Sequence, residues 1–328
     1  MMLRCWHLFK KMPELGVLLI MVLITGAFSL WLGTGFVVPD ERIRIYLGVR
    51  YAVPVALAAI CFAIPLLVRR GQGADVPSLT RQLGWSAGFV AIFTGVMWLH
   101  FHIKMWVPLI NPRRYDQLYQ DIDISLAPIV DAMINARAAL ATILPGIDWW
   151  YMIVFMGLFF VSFAYHLIAD QGGFRRVYLA TLINQSIGAV SYLVMPAIGP
   201  FLYGPGASHH ATQSQTGMWE AYNALMKGGV PWLDTIGPSY FNAGLAAMPS
   251  LHAGASWVFV WYAFAHGTRL KSLYILAFGW ILIEAVATKW HYLIDLPVGV
   301  AVAGLSIWLA NRLVAKQSDK EAISAAVS

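Results

Sequence analysis

The sequence predicts an all-α membrane protein, a polytopic bundle of about eight transmembrane helices. Of its 328 residues, 59% are hydrophobic and only 12% are charged, which is about half the charged fraction of an average soluble domain. The 14 Trp and 14 Tyr are typical of belts at two membrane interfaces. Apolar runs near the roughly 20 residues that cross a bilayer recur along the chain. They predict spans at 14–38, 46–68, 84–107, 149–169, 174–197, 250–266, 271–289 and 292–312.

Basic residues are concentrated on one side of the predicted bilayer, which sets the expected orientation. They precede the first span and lie in alternate connections after it. The residues concerned are Arg4, Lys10, Lys11, Arg69, Arg70, Arg81, Arg175, Arg176, Arg269, Lys271, Arg312 and Lys316. Because positive loops stay inside, we expect both termini to be cytoplasmic, although Arg42, Arg44, Arg113 and Arg114 fall on the other side. The sixth and eighth spans then begin at the face toward the periplasm or an organelle lumen.

Two segments are expected to lie outside the spans on that same outer face. Residues 117–145 repeat apolar side chains near helical spacing, with Asp and Arg between them, which predicts an amphipathic surface helix. Residues 198–248 are rich in Gly, Pro, Ser and aromatic residues. A connection of that length is usually functional, so we expect a long outer loop.

Several functional classes are disfavoured by composition. The net charge of +6 follows from basic residues that flank spans and calls for no nucleic acid partner. The two cysteines, Cys5 and Cys61, form no metal or redox spacing, and no cofactor is expected. The apolar run at 15–38 is longer than a signal-peptide core, so it is interpreted as a retained span.

A first histidine stands where a loop becomes an apolar helix, in the stretch MPSLH at 248–252. Proline is favoured in a first helical turn, so we expect Pro249 to begin the helix. The free amides of that turn and the helix dipole would attract an anion. Ser250 would add a hydroxyl donor, and His252 a proton donor beside a leaving oxygen. The alternative is an ordinary helix start with an interfacial histidine.

A second histidine is followed four residues later by an acid, in the stretch KWHYLIDLPVG at 289–299. On a helix, His291 and Asp295 would share one face. A carboxylate on Nδ1 fixes the imidazole tautomer and stabilises its positive charge, which leaves Nε2 to attack phosphorus. The alternative is a capping aspartate with an incidental histidine. The cost of charge at membrane depth weakens that alternative.

Together the two motifs resemble the signature of the type-2 phosphatidic acid phosphatase superfamily. The flanking sequence, FNAGLAAMPSLHAG and then KWHYLIDLPVG, looks most like the branch with inositol phosphorylceramide synthase, and sphingomyelin synthases carry a similar triad. The resemblance covers about residues 195–304. It implies that His291 is the nucleophile, that Asp295 orients it, and that His252 is the acid and base, without a metal.

The residues that would bind substrate depart from that resemblance. No Lys/Arg motif precedes the first histidine, and Glu284 and Ala285 stand where the phosphatases have a Ser-Arg pair. A phosphoryl group in transfer still needs positive charge, for which Lys289 is the nearest candidate. Glu284 would bind a polar acceptor or pair with Lys289. Weaker candidates on the outer face are Lys227, Arg113, Arg114, His209 and His210.

A further cluster of polar residues, His100, His102 and Lys104, ends the third predicted span. Residues two apart on a helix diverge, so a metal site is disfavoured. We expect these side chains to anchor the span at the membrane surface.

The chain is therefore expected to have four parts. These are N-terminal transmembrane helices at 1–115, the amphipathic segment at 116–146, a catalytic membrane domain at 147–314 and a polar tail at 315–328. The predicted function is transfer of a phosphoryl group from a phospholipid or lipid phosphate, with an inositol, ceramide or glycolipid hydroxyl as a possible acceptor. One alternative is a lipid phosphate phosphatase, of phosphatidic acid or polyprenyl phosphate type. A transporter is disfavoured because the sequence shows no internal repeat.

Overall fold

Every regular element that the structure describes is helical, which confirms the all-α class. The computed structural model describes residues 12–38, 52–73, 76–169, 171–240 and 247–327. Two short 3-10 turns, Pro200–Tyr203 and Gly237–Tyr240, accompany the α-helices of these residues. The α-helices are α1 (Pro13–Leu32), α2 (Ala52–Gly71), α3 (Val76–Ile110), α4 (Asp116–Ser125), α5 (Ala127–Ala141), α6 (Ile147–Ala169), α7 (Gln171–Ser191), α8 (His209–Thr235), α9 (Leu251–Ala265), α10 (Lys271–Ala287) and α11 (Asp295–Val327).

The bundle is built around α7, α9 and α11, which pack against one another. Helices α6 and α10 cover one side of this group, and α3 with α1 covers the other. Aromatic rings fill the centre, where Phe163, Phe259 and Tyr178 are buried. Phe163 meets Phe259 nearly edge-on at a centroid distance of 5.9 Å, a favoured aromatic arrangement. The central helices are surrounded by protein, which accounts for their apolar side chains.

The outer faces of the bundle are also apolar, as expected for contact with lipid. Large exposed side chains include Leu23 and Trp31 of α1, Leu276 of α10 and Trp308 of α11. Large apolar surfaces are rare on soluble monomers. The surface is compatible with a membrane protein.

The structure has fewer candidate spans than the eight expected. Among the described residues, four helices are long and apolar enough to cross a bilayer: Pro13–Leu32, Leu79–Ile110, Ile147–Ala169 and Asp295–Ala315. The bent pair of α4 and α5 would be a fifth. Helices α9 and α10, with 15 and 17 residues, are only about 22 and 26 Å long. The expected span at 46–68 begins outside the described residues.

The amphipathic segment is not the single helix that was expected. It forms α4 and α5, which are bent by 85° at Leu126. Pro128 lies in the first turn of α5, and its ring cannot be accommodated in the interior of a continuous helix. Asp116, Asp123 and Arg137 of this pair are buried, so the segment packs into the protein on one face.

The long outer loop is largely helical, which corrects the expectation for 198–248. Ser208 caps α8, since its Oγ accepts from the Ala211 amide at 3.1 Å. The Gly and Pro residues that suggested a loop instead break α8 once, at Gly229, whose φ of 58° leaves the helical region just before Pro231. Residues 241–246 of this stretch lie outside the described residues.

The expected surface anchors of the third span are buried, so that prediction was wrong. His100, His102 and Lys104 are 4%, 0% and 9% exposed. Each histidine has an internal partner: Nδ1 of His100 lies 3.0 Å from the Gln185 carbonyl oxygen, and Nε2 of His102 accepts from the Val37 amide at 2.9 Å. Because α3 is covered by α1 and α7, its polar residues point into the bundle.

Candidate active site

The first histidine motif begins α9, with a different first turn from the expected one. Ser250 is the N-cap, and its Oγ accepts from the Ala253 amide at 3.3 Å. Pro249 therefore precedes the cap and does not begin the helix. The Ser250 hydroxyl oxygen is occupied by the cap, although its proton remains available to an acceptor. His252 is the second residue of α9, and its side chain is partly buried.

The second motif lies in the turn between α10 and α11. Lys289 has a φ of 61°, which reverses the chain after α10. The amides of Trp290 and His291 then both donate to the Ala285 carbonyl, at 3.1 and 2.9 Å. Because α11 begins at Asp295, His291 and Asp295 do not share a helix face as expected. The turn nevertheless brings them into contact.

His291 is held by two acceptors on the same ring nitrogen. Its Nδ1 lies 2.8 Å from the Ala247 carbonyl oxygen and 3.2 Å from Oδ2 of Asp295. Both neighbours accept hydrogen bonds, so Nδ1 must carry the proton. The other nitrogen, Nε2, then keeps its lone pair. Asp295 is fully buried and is fixed by the Tyr292 amide, which donates to Oδ2 at 2.9 Å.

A close approach of α9 and α11 brings the two motifs together. The Ser250 amide donates to the Asp295 carbonyl at 3.0 Å. A Cβ added at Gly299 would come within 2.1 Å of the Ser250 carbonyl oxygen, so only glycine permits this packing. The ring centroids of His252 and His291 are 5.9 Å apart. The structure thus gathers His252, His291, Asp295 and Ser250 at one end of the bundle.

Aromatic side chains of α6 cover the other side of His252. The Phe155 ring centroid lies 4.3 Å from that of His252, and Tyr151 lies at 5.1 Å. This wall keeps the imidazole in a largely apolar environment, which strengthens its electrostatic interactions.

Helix α4 forms hydrogen bonds with the turn that carries His291, and the sequence did not predict these bonds. Oδ1 of Asp116 accepts from the Tyr292 hydroxyl at 2.9 Å, and Oδ1 of Asp123 accepts from the Leu293 amide at 2.9 Å. Burial, with the Asp116 carboxylate beside it, raises the pKa of Tyr292 above its usual range, so its hydroxyl stays protonated and donates. In the sequence, this role could have been predicted from the seven-residue spacing of Asp116 and Asp123, which places both acids on one face of a helix.

Asp116 also fixes the segment before the first 3-10 turn. The same Oδ1 accepts from the amides of Ile198 and Gly199, at 2.8 and 2.9 Å. One buried carboxylate therefore ties together the segment after α7 and the turn after α10.

Glu284 forms an ion pair with Arg137 of α5, which corrects the expected pairing with Lys289. The Arg137 Nε donates to Oε1 of Glu284 at 3.1 Å. The same guanidinium donates to Asp148 and, at 2.6 Å, to the Ala207 carbonyl. Arg137 therefore holds together α5, α6, α10 and the segment before α8.

The basic residues that were candidates for binding the phosphoryl group differ in burial and in contacts. Lys289 is partly buried and acts electrostatically on Asp123. Four of them are exposed: Arg113, Arg114, His209 and Lys227. The Arg114 guanidinium lies 5.7 Å from the Trp219 ring centroid. His210 is partly buried and packs against Trp149 at 4.8 Å. Lys104, which was expected to anchor α3 at the membrane surface, is buried.

Lys104 lies beside the first histidine motif. Its ammonium is 5.6 Å from the Tyr192 ring centroid, and Tyr192 packs in one apolar cluster with Leu251, the neighbour of His252. Lys104 is also close enough to act electrostatically on His252. The described residues contain no group of three or more His, Cys, Asp or Glu that could hold a metal ion.

One comparison with known proteins found a match. The family model described as PAP2 superfamily matches residues 116–309, which include α4 and both histidine motifs but not α1 to α3. No curated protein matches the chain, and no solved structure does.

Proposed function

The chain belongs to the PAP2 superfamily, and on that premise we propose that it is a membrane phosphotransferase that uses a histidine nucleophile on a lipid phosphoester. Membership supports a phosphatase-type enzyme that acts on lipid phosphates. The observation that carries the finer proposal is the double restraint on Nδ1 of His291, by Ala247 and Asp295. It fixes the tautomer in which Nε2 can attack.

The proposed first step forms a bond from Nε2 of His291 to phosphorus and breaks the bond to the leaving oxygen. His252, 5.9 Å away between ring centroids, gives its proton to that oxygen. The buried Asp295 carboxylate stabilises the positive charge that develops on His291. In the second step His252 takes a proton from the acceptor hydroxyl. The acceptor oxygen attacks phosphorus and breaks the P–N bond, which restores both histidines.

The acceptor decides whether the enzyme is a synthase or a phosphatase. A lipid or polyol hydroxyl, as in the inositol phosphorylceramide synthases that the motifs resemble, gives a new phospholipid. Water gives a lipid phosphate phosphatase, which superfamily membership supports equally. The absence of the phosphatase-type Ser-Arg pair at 284–285 favours the transferase.

A panel of labelled substrates tests the proposal. Purified protein is incubated with labelled phospholipids and lipid phosphates, each with and without inositol, ceramide or a glycolipid. A new labelled phospholipid that forms only with acceptor is the expected result. Free phosphate alone would identify the phosphatase. Absence of every product would overturn the proposal and would favour the alternative that the protein is a transporter.

The same assay in EDTA tests whether a metal is needed. A histidine nucleophile with a carboxylate partner requires no divalent ion, so the rate should stay within about twofold of the untreated enzyme. Loss of activity that a divalent ion restores would contradict the mechanism.

A further inference from the structure

The proposed reaction needs a positive charge beside phosphorus, and the residues around the histidines supply little. A phosphoryl group in transfer carries negative charge that cations stabilise in a dry site. Arg137 is already paired with Glu284 and Asp148. Lys289 lies in the electrostatic range of Asp123, which partly offsets its charge. A further cation near the histidines would supply the missing charge.

Lys104 is a buried cation without an acidic partner among the described residues. It is 9% exposed, and the ion pairs found in those residues involve Arg137, Arg175 and His291 instead. Burying an ammonium without a counter-ion is costly. A buried ammonium without an acidic partner is therefore a candidate for binding an anion.

Lys104 lies near the first histidine motif. The Tyr192 ring, which its ammonium approaches at 5.6 Å, packs on Leu251 at the start of α9. Lys104 and a protonated His252 repel each other. An anion bound between them would remove that repulsion, because each cation would then face a negative charge.

We propose that Lys104 of α3 binds the phosphoryl group of the substrate and completes the active site from outside the part of the chain that matches the family. The proposal rests on the proposed function, and it names the group that replaces the missing basic motifs. It also gives α3, which precedes the matched residues 116–309, a direct part in catalysis. The ligand class is a phosphate monoester or diester headgroup.

Charge-removing and charge-keeping variants test this residue. In Lys104→Met and Lys104→Gln, kcat/KM for the lipid substrate should fall about 100-fold. The inhibition constant of orthovanadate, which mimics the phosphoryl group, should rise at least about tenfold. Lys104→Arg keeps the charge and should retain vanadate inhibition. Lys271→Met removes a lysine at the start of α10, the end of that helix away from the histidines, and should change neither quantity.

Thermal unfolding in detergent separates binding from a structural role. Removing an uncompensated buried charge should leave the midpoint unchanged or raised in the Met variant, while the stabilisation of the wild type by vanadate disappears. If the Met variant does not fold, the Gln variant carries the same comparison. Unchanged vanadate inhibition and kcat/KM in both neutral variants would overturn the role of Lys104. A wild type without activity and without a vanadate shift would instead refute the proposed function itself.

Discussion

At the scale of single residues, the chemistry depends on which nitrogen of each histidine is occupied. Nδ1 of His291 faces the Ala247 carbonyl and the Asp295 carboxylate, so Nε2 is the nitrogen left for phosphorus. The carboxylate adds charge stabilisation that the carbonyl alone cannot supply. His252 lies at the start of α9 against the aromatic wall formed by Phe155 and Tyr151. The two histidines are therefore suited to different roles.

Substitutions of the three residues should separate these roles. His291→Ala removes the nucleophile and should leave almost no activity. Asp295→Asn keeps the shape but loses the charge, which in hydrolase triads costs up to about 10⁴-fold in kcat. His252→Ala should cost about 10²- to 10⁴-fold. Rates with the lipid substrate are the measurement, and size-exclusion profiles show whether each variant is folded.

A substrate with an acidic leaving group provides the control. A nitrophenyl phosphoester needs no proton on its leaving oxygen, so it should rescue His252→Ala partly but not His291→Ala. Equal rescue of both variants would mean that the two histidines have been assigned the wrong way round.

At the scale of elements, α4 positions the turn that carries His291 from outside. Asp123 accepts from the Leu293 amide, and Asp116 accepts from the Tyr292 hydroxyl. Tyr292 and Leu293 directly follow His291 in the chain. The Tyr119 ring also packs on that of Tyr292 at 5.6 Å. Together with the bonds of the His291 ring to Ala247 and Asp295, these contacts fix the turn that carries His291.

Loss of the Asp123 acceptor should therefore lower kcat more than it changes KM. A misplacement of about 1 Å can cost up to roughly 100-fold in rate, so Asp123→Ala should lower kcat about 10- to 100-fold. Asp123→Asn keeps an oxygen acceptor and should recover most of that loss. Asp121→Ala, on the exposed side of the same helix, is the matched control. A parallel loss in the Ala and Asn variants, or in Asp121→Ala, would contradict a positioning role.

The approach of α9 and α11 can be tested with a pair of glycines on α11. Gly299→Ala places a Cβ 2.1 Å from the Ser250 carbonyl oxygen, whereas a Cβ at Gly304 meets nothing within 4 Å. The first variant should lose about 1–3 kcal/mol of stability through overpacking and lose activity, because the two histidines are forced apart. Gly304→Ala should keep activity and gain up to about 1 kcal/mol. Denaturation midpoints and turnover rates are the measurements, and equal behaviour of the two variants would refute the close packing.

At the scale of the whole molecule, the sequence predicted local features better than distant ones. The two histidine motifs are short stretches, so the contact between His291 and Asp295 could be anticipated from four-residue spacing. Arg137 meets Glu284 from 147 positions away, and no periodicity indicates such a partner. Lys104 looked like an interfacial residue because it ends an apolar run, and its burial depends on α7.

The expected eight spans are not confirmed among the described residues, for a related reason. Helices α9 and α10 are apolar and were interpreted as spans, yet ten of the fifteen residues of α9 are buried in the bundle. Hydropathy alone does not distinguish a core helix from a lipid-exposed one. The α8 helix was missed because Gly and Pro near its end outweighed the helix-forming residues before them.

The orientation of the whole bundle remains a prediction of the basic residues, and exposed positions at its two ends can test it. Tyr203 is 45% exposed and lies at the active-site end, where its hydroxyl contacts Gln117. Arg269 is exposed in the turn that follows the far end of α9. Because α9 runs from His252 to that turn, the two positions should be on opposite sides of the membrane.

Single cysteines would report the side of each position. In a background with Cys5 and Cys61 replaced by Ser, Tyr203→Cys should react with an impermeant maleimide in intact cells. Arg269→Cys should react only after lysis, because positively charged connections stay in the cytoplasm. The reverse pattern would place the histidines on the cytoplasmic side, and the lipid substrate would then be drawn from the inner leaflet.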